Sequence, residues 1–109
     1  MDVSDASSIK VAAVEVDKIC PEGIEVLIDN AAALLSHDFD VDSESTKTVN
    51  TNVIIVLEAT KAFLPALQKR QRCLVVIVSS IAGSNTIIGQ MKLYLAPASY
   101  LVSKVALNM

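Results

Sequence analysis

The sequence predicts an α/β fold, a partial doubly wound parallel sheet with helices on both faces, and three observations predict it. Apolar-periodic segments alternate with short β-branched runs in the order helix, strand, helix, strand, helix, a pattern that joins parallel strands by right-handed crossovers. The composition is 52% apolar but only 4% aromatic, which suits an aliphatic, layered core. The run "IEVLID" at 24–29 is bounded by turn residues, as a largely buried strand should be. At 109 residues, one small domain is the ceiling.

Residues 6–20, "ASSIKVAAVEVDKIC", place Ile9, Val11, Ala12, Ala13, Val14, Val16 and Ile19 at mostly helical spacing, with Lys10, Glu15, Asp17 and Lys18 as the wet side. Asp5 or Ser7 is the candidate cap, and Pro21 and Gly23 end the helix. After "IEVLID" comes a polar loop, "DFDVDSES". A long helix is expected from about Glu44 to Lys69, with apolar groups at Val49, Val53, Ile54, Val56, Leu57, Ala59, Phe63, Leu64 and Leu67. Within it the β-branched cluster "VIIV" at 53–56 favours strand locally, and Pro65 marks a kink or a break. "CLVVIVSS" at 73–80 is the clearest buried strand. A loop containing Gly, Asn and Ser follows, and "SYLVSKVALNM" at 99–109 suits a helix packed on a sheet. No internal repeat or low-complexity tract interrupts this order.

A formal charge of −3, with basic residues clustered only in "KRQR" at 69–72, gives no footprint for nucleic acid or an acidic membrane; "KRQR" reads as the solvated end of a helix. Cys20 and Cys73 stand far apart without a partner motif, so they are expected to be small buried hydrophobes, with no disulfide framework and no metal site. A reducing, cytoplasmic location fits this cysteine usage. No apolar run reaches the roughly 18 residues of a membrane span, and the acidic start "MDVSDASS" is unlike a signal or transit peptide.

Tyr100 and Lys104 are four residues apart, so a helix puts both on one face. A tyrosine is a poor proton donor at neutral pH because its ordinary pKa is about 10; a neighbouring ammonium stabilises the phenolate and makes the phenol a usable acid. Y-x-x-x-K alone is a weak signal, since many amphipathic helices contain it by chance. Its company is more specific. Ser79 and Ser80 stand where one parallel strand ends, and Asp29 and Asn30 where the other does, at the edge where open α/β sheets bind ligands.

These landmarks together resemble the short-chain dehydrogenase/reductase family in register over the whole chain. "MDVSD" looks like the end of that family's third strand, "IDNAA" like its N-N-A-G motif, and "TVNTNVIIVLEATKAFLPAL" like its fourth helix with the active-site asparagine. "IVSSIAGS" looks like the fifth strand with the catalytic serine, and "YLVSKVALN" like the Y-x-x-x-K helix. The wording "SKVALNM" and the loop between serine and tyrosine are most similar to the ketoreductase-like branch that includes norsolorinic acid ketoreductase.

The resemblance implies a Rossmann-like, NAD(P)-dependent oxidoreductase that moves hydride between a nicotinamide and a ketone or secondary alcohol. Tyr100 would be the general acid, Lys104 would lower its pKa and hold the nicotinamide ribose, and Ser80, with Ser79 the alternative, would hydrogen-bond the substrate oxygen. Asn52, with Asn50 the alternative, would be the asparagine of the proton relay. Asp2 and Val3 would contact the adenine, and Asn30 and Ala31 the cofactor near its ribose. NADP is placed ahead of NAD, although the residue that selects between them follows the family's second strand, which has no counterpart here. Asp29 departs from the family's first asparagine and Ala32 from its glycine.

The three glycines, Gly23, Gly83 and Gly89, form no T-G-x-x-x-G-x-G turn. Residues 1–109 are therefore expected to be a single incomplete domain, an internal fragment from the end of strand 3 to the catalytic helix, with two adjacent strands and little activity alone. The partners implied are a small carbonyl or alcohol substrate and, at full length, further copies of itself, with neither nucleic acid nor membrane. The alternatives are a non-catalytic remnant that uses an exposed apolar sheet edge to bind another protein, and a serine hydrolase on Ser79 or Ser80. The second lacks a G-x-S-x-G elbow, and His37 lies in a polar loop as a solvated, structural histidine.

Overall fold

The structure is a computed structural model that describes residues 1–34, 43–90 and 97–109; His37, most of its polar loop and residues 91–96 of the serine–tyrosine loop lie outside the described residues. In chain order the elements are α1 (Ala6–Ile19), β1 (Val26–Asp29), α2 (Ser43–Val49), a π-helical turn (Asn50–Ile54) and α3 (Ile55–Leu67). They are followed by β2 (Leu74–Ile77), a 3-10 turn (Ile81–Gly83), α4 (Asn85–Gln90) and α5 (Ala98–Leu107). Packing divides them into two compact units: Met1–Asn30 with Ile55–Val78, and Ala31–Ile54 with Ser79–Met109. No helix among the described residues is long and apolar enough to cross a membrane.

In the first unit, Asp5 caps α1 by accepting a hydrogen bond from the Ser7 N–H at 2.8 Å. Ala12, Ala13 and Val16 of α1 pack with buried Ile9 against Ile55, Ala59 and Phe63 of α3, with Leu27 of β1 against the same cluster. Fully burying an Ile or Phe side chain such as Ile9, Ile55 or Phe63 contributes about 1.5–3 kcal/mol. Val11, Val14 and Ile19, counted among the apolar positions of this helix, are exposed, because only the i, i+3, i+4, i+7 subset can be buried against one partner.

The turn from α1 to β1 depends on Gly23. Its φ of +87° lies in the left-handed region, and an added Cβ would collide with the Ala66 carbonyl oxygen and stand 2.7 Å from Lys69 Cβ. The chain presses on the end of α3 here, where the Ile24 N–H donates to the Ala66 carbonyl at 3.1 Å. Pro65 sits inside α3, which continues to Leu67, and Lys69–Arg72 are exposed beyond it as the "KRQR" reading expected. Lys69 bonds Asp17 at 2.5 Å and the Pro21 carbonyl at 3.2 Å, tying the two helix ends together.

β1 and β2 form a two-stranded parallel sheet, with Val26 opposite Leu74 and Asp29 opposite Ile77. The strands are shorter than the runs that predicted them and less buried. Leu27 faces the helices, while Val26 and Ile28 are 49% and 61% exposed and Leu74 is 56% exposed. The physical reason is that, within this unit, helices cover one face of the sheet; the expected largely buried strands need cover on both. Cys73, just before β2, is exposed and Cys20 only half-buried, so neither is the buried hydrophobe expected. Met1–Val3 forms no strand. Asp2 instead closes a local turn: its carboxylate accepts from the Ser4 N–H at 2.8 Å and the Ser4 hydroxyl at 2.7 Å, and these bonds lower its pKa.

The long helix expected over Glu44–Lys69 runs from Ser43 to Leu67, but as α2, a π turn and α3. Within the second unit, α2, the π turn and the 3-10 turn all pack against α5. α4 occupies part of the segment expected to be a loop; the Ser84 hydroxyl accepts from the Ile87 N–H at 3.3 Å and opens it.

Candidate active site

All four expected catalytic residues, Asn52, Ser80, Tyr100 and Lys104, belong to the second unit. Tyr100 and Lys104 lie one turn apart on α5, as their spacing required. Lys104 is 3% exposed, and its Nζ stands 5.7 Å from the centroid of the half-buried Tyr100 ring. Attraction between an ammonium and an aromatic face strengthens as water is excluded, which favours this arrangement.

Asn52 lies in the π turn, a kind of helix widening that concentrates at functional sites, and is 1% exposed. Its Oδ1 accepts from the Ala33 N–H at 2.7 Å, and its Nδ2 donates to the Ala33 carbonyl at 3.0 Å and to the Ser103 hydroxyl at 3.0 Å. Asn50, the alternative, is exposed. The Asn52 amide thus joins the chain after β1 to the helix that carries tyrosine and lysine.

Ser80 opens the 3-10 turn, its hydroxyl accepting from the Ala82 N–H at 3.1 Å. The turn is pressed onto α5. A Cβ on Gly83 would lie 2.7 Å from the Lys104 carbonyl oxygen, and Asn108 Nδ2 donates to the Gly83 carbonyl at 3.0 Å. Glycine is required here by close approach. The Ser79 hydroxyl is buried and has no hydrogen-bond partner among the described residues.

Of the expected cofactor contacts, Asp2, Val3 and Asn30 belong to the first unit and Ala31 to the second. Asn30, Ala31 and Ala32 are exposed where β1 ends, so short side chains leave that strand's carboxyl end open. Asp29, one residue earlier, accepts a hydrogen bond from the Thr60 hydroxyl at 3.0 Å. Burial pushes its carboxyl pKa up, and the Thr60 bond opposes part of that shift.

Sequence reasoning assigned nothing to Ser103, Asn108, Gly83 or Ala33, which hold the candidate side chains in place. Ser103 was visible only as one of several polar residues of α5, and Asn108 only as the residue that follows that helix.

The whole chain, residues 1–109, matches the short chain dehydrogenase family. It is 29% identical to the short-chain dehydrogenase/reductase AacuF of Aspergillus aculeatus, over 99% of this chain and 44% of that protein. It is 34% identical to human short-chain dehydrogenase/reductase family 9C member 7, over 82% of this chain and 29% of that protein. The fold is similar to that of the NADPH-bound carbonyl reductase from chicken fatty liver, with a TM-score of 0.89 and 31% identity over 100% of this chain and 45% of that one. The carbonyl reductase Sniffer of D. melanogaster shares the fold with a TM-score of 0.81 at 24% identity, over 99% of this chain and 48% of that one. The chain spans less than half the length of each of these proteins.

Proposed function

This chain belongs to the short-chain dehydrogenase/reductase family, and from that premise we propose that it carries the catalytic side chains of an NAD(P)-dependent oxidoreductase acting between a ketone and a secondary alcohol. The observation that carries the proposal is the buried ammonium of Lys104 over the Tyr100 ring, on a helix bonded to Asn52 and pressed by the turn that Ser80 opens. In the reductive direction Tyr100 gives its phenolic proton to the carbonyl oxygen, and Lys104 offsets the negative charge left on the phenol. The Ser80 hydroxyl orients and polarises that oxygen by donating a hydrogen bond to it.

The open end of β1 suits a dinucleotide. The family resemblance, taken residue by residue, assigns adenine contacts to Asp2 and Val3, ribose contacts to Asn30 and Ala31, and nicotinamide-end contacts to Lys104 and Tyr100. When bound, the nicotinamide supplies or accepts the hydride. The NADPH held by the chicken liver relative supports NADP ahead of NAD. Both units are read as parts of one incomplete Rossmann-type domain, inactive alone, from a cytoplasmic and homo-oligomeric ketoreductase; the unpaired Cys20 and Cys73 are compatible with a reducing compartment.

The test is a chimera in which the flanking segments of the chicken liver carbonyl reductase are added at both ends. It is expected to oxidise NADPH in the presence of a ketone. Tyr100→Phe is expected to cut turnover by roughly 10²–10⁴-fold, the usual share of a positioned acid. Near-parental rates in that variant would refute the assignment.

The exposed Val26, Ile28 and Leu74 favour a second reading, a non-catalytic module that pairs through its sheet. A clean monomer of the 109-residue chain in light scattering at high concentration would count against this second reading.

A further inference from the structure

We propose that Ser103 is a positioning residue that fixes Tyr100 and Lys104 relative to Asn52. The proposal rests on the reductase assignment for its consequence, but not for its geometry. Ser103 is fully buried between the two reacting positions of α5. Its hydroxyl accepts from Asn52 Nδ2 at 3.0 Å and donates to the Tyr100 carbonyl at 2.7 Å. One oxygen therefore does two jobs. The donated bond closes on the turn of helix from which the Tyr100 side chain springs, and the accepted bond ties that turn to the π turn.

Packing alone would not ask for this hydroxyl. Thr48 and Ser99 are buried in the same unit, and their hydroxyls have no hydrogen-bond partner among the described residues. Small size suffices at such places. At Ser103 both hydrogen-bonding capacities are used, and removing the oxygen leaves the buried Asn52 amide with one donor unmatched, a penalty larger than the bond it lost. The Asn52 side chain would then turn or draw in water. The helix turn holding Tyr100 and Lys104 would lose its anchor, and positional errors near 1 Å at reacting groups cost up to about 10²-fold in rate.

The experiment has two arms. In the 109-residue chain, NMR follows hydrogen exchange of the Asn52 side-chain amide and the ring-current shift of the Lys104 ε-methylene, which reports the ammonium over the Tyr100 ring. Ser103→Ala is expected to speed Asn52 exchange about tenfold or more and to move the Lys104 signal toward its unshielded position; Ser103→Thr, or Ser103→Cys if the extra methyl prevents folding, is expected to restore part of both. Tyr100→Phe keeps the ring and is expected to leave both signals in place, so this arm does not depend on the chemistry. In the extended chimera, Ser103→Ala is expected to lower kcat about tenfold with KM within twofold and to displace the pH profile. Folded Ser103→Ala with unchanged NMR signals overturns the proposal, as does an unchanged kcat and pH profile in a chimera that Tyr100→Phe inactivates. Turnover that survives Tyr100→Phe refutes the reductase assignment instead, leaving the NMR result to decide the geometry.

Discussion

The two compact units are held together by opposite means. Among the described residues, the buried Ile, Val, Leu, Phe and Ala side chains, Ile9, Ile55, Val56, Ala59, Phe63, Ala66 and Leu67, all lie in the first unit. The buried Ser, Thr, Asn and Lys side chains, Ser45, Thr48, Asn52, Ser99, Ser103 and Lys104, all lie in the second. Hydrocarbon burial is non-directional and supplies most of the free energy of folding, so the first unit has the makings of a scaffold. Hydrogen bonds add little net stability but penalise misplacement, so the second unit spends its interior on fixing directions. Every candidate catalytic side chain is on the directional side of that division.

Phe63→Ala removes the biggest side chain of the apolar cluster, and truncations of this kind cost about 3–5 kcal/mol. In a chain of this size that is a large share of total stability. Chemical denaturation followed by circular dichroism should therefore show Phe63→Ala with a far lower unfolding midpoint than Ser103→Ala. If the two variants lose stability equally, the hydrocarbon cluster is not the scaffold described above.

A smaller effect of opposite sign tests the polar unit. Thr48 is fully buried on α2, and its hydroxyl has no partner among the described residues. Thr48→Val keeps the shape and replaces the hydroxyl by a methyl group, which relieves an unmet desolvation cost of about 1 kcal/mol. A rise in the denaturation midpoint is expected. A fall of similar size would mean that the Thr48 hydroxyl is bonded in the folded chain.

The same division explains what the sequence disclosed. Apolar periodicity is local, so α1, the two strands, the 43–67 helical run and α5 were legible, as was the Tyr100–Lys104 pair. The π turn was not, because residues 50–54 read as an ordinary helix with a β-branched blemish. Strand burial was overestimated, since an all-aliphatic run such as "LVVI" looks the same whether one face or both are covered. The hydrogen bonds that make the site were out of reach: Asn52 meets partners 19 and 51 residues away, and a serine at position 103 carries no local signal. The family resemblance supplied Asn52 and Ser80, but not what holds them.

Asp29 is an acidic side chain at the end of β1, in the unit with the hydrocarbon core, and the Thr60 hydroxyl donates to its carboxylate. Because burial raises its pKa above the ordinary 3.8, the folded chain binds that proton more readily than the unfolded chain does. Its stabilising contribution is thus fully present below about pH 4 and is lost as pH rises through the folded value, leaving a penalty at neutrality. Asp29→Asn keeps an oxygen to accept from Thr60 and removes the charge. Thermal melts should show Asp29→Asn modestly more stable than the parent at pH 7, with the gap closing as the pH is taken down toward 4. A gap that is constant with pH would mean that the carboxylate is already well solvated, and that the first unit's apolar character stops short of the carboxyl end of its sheet.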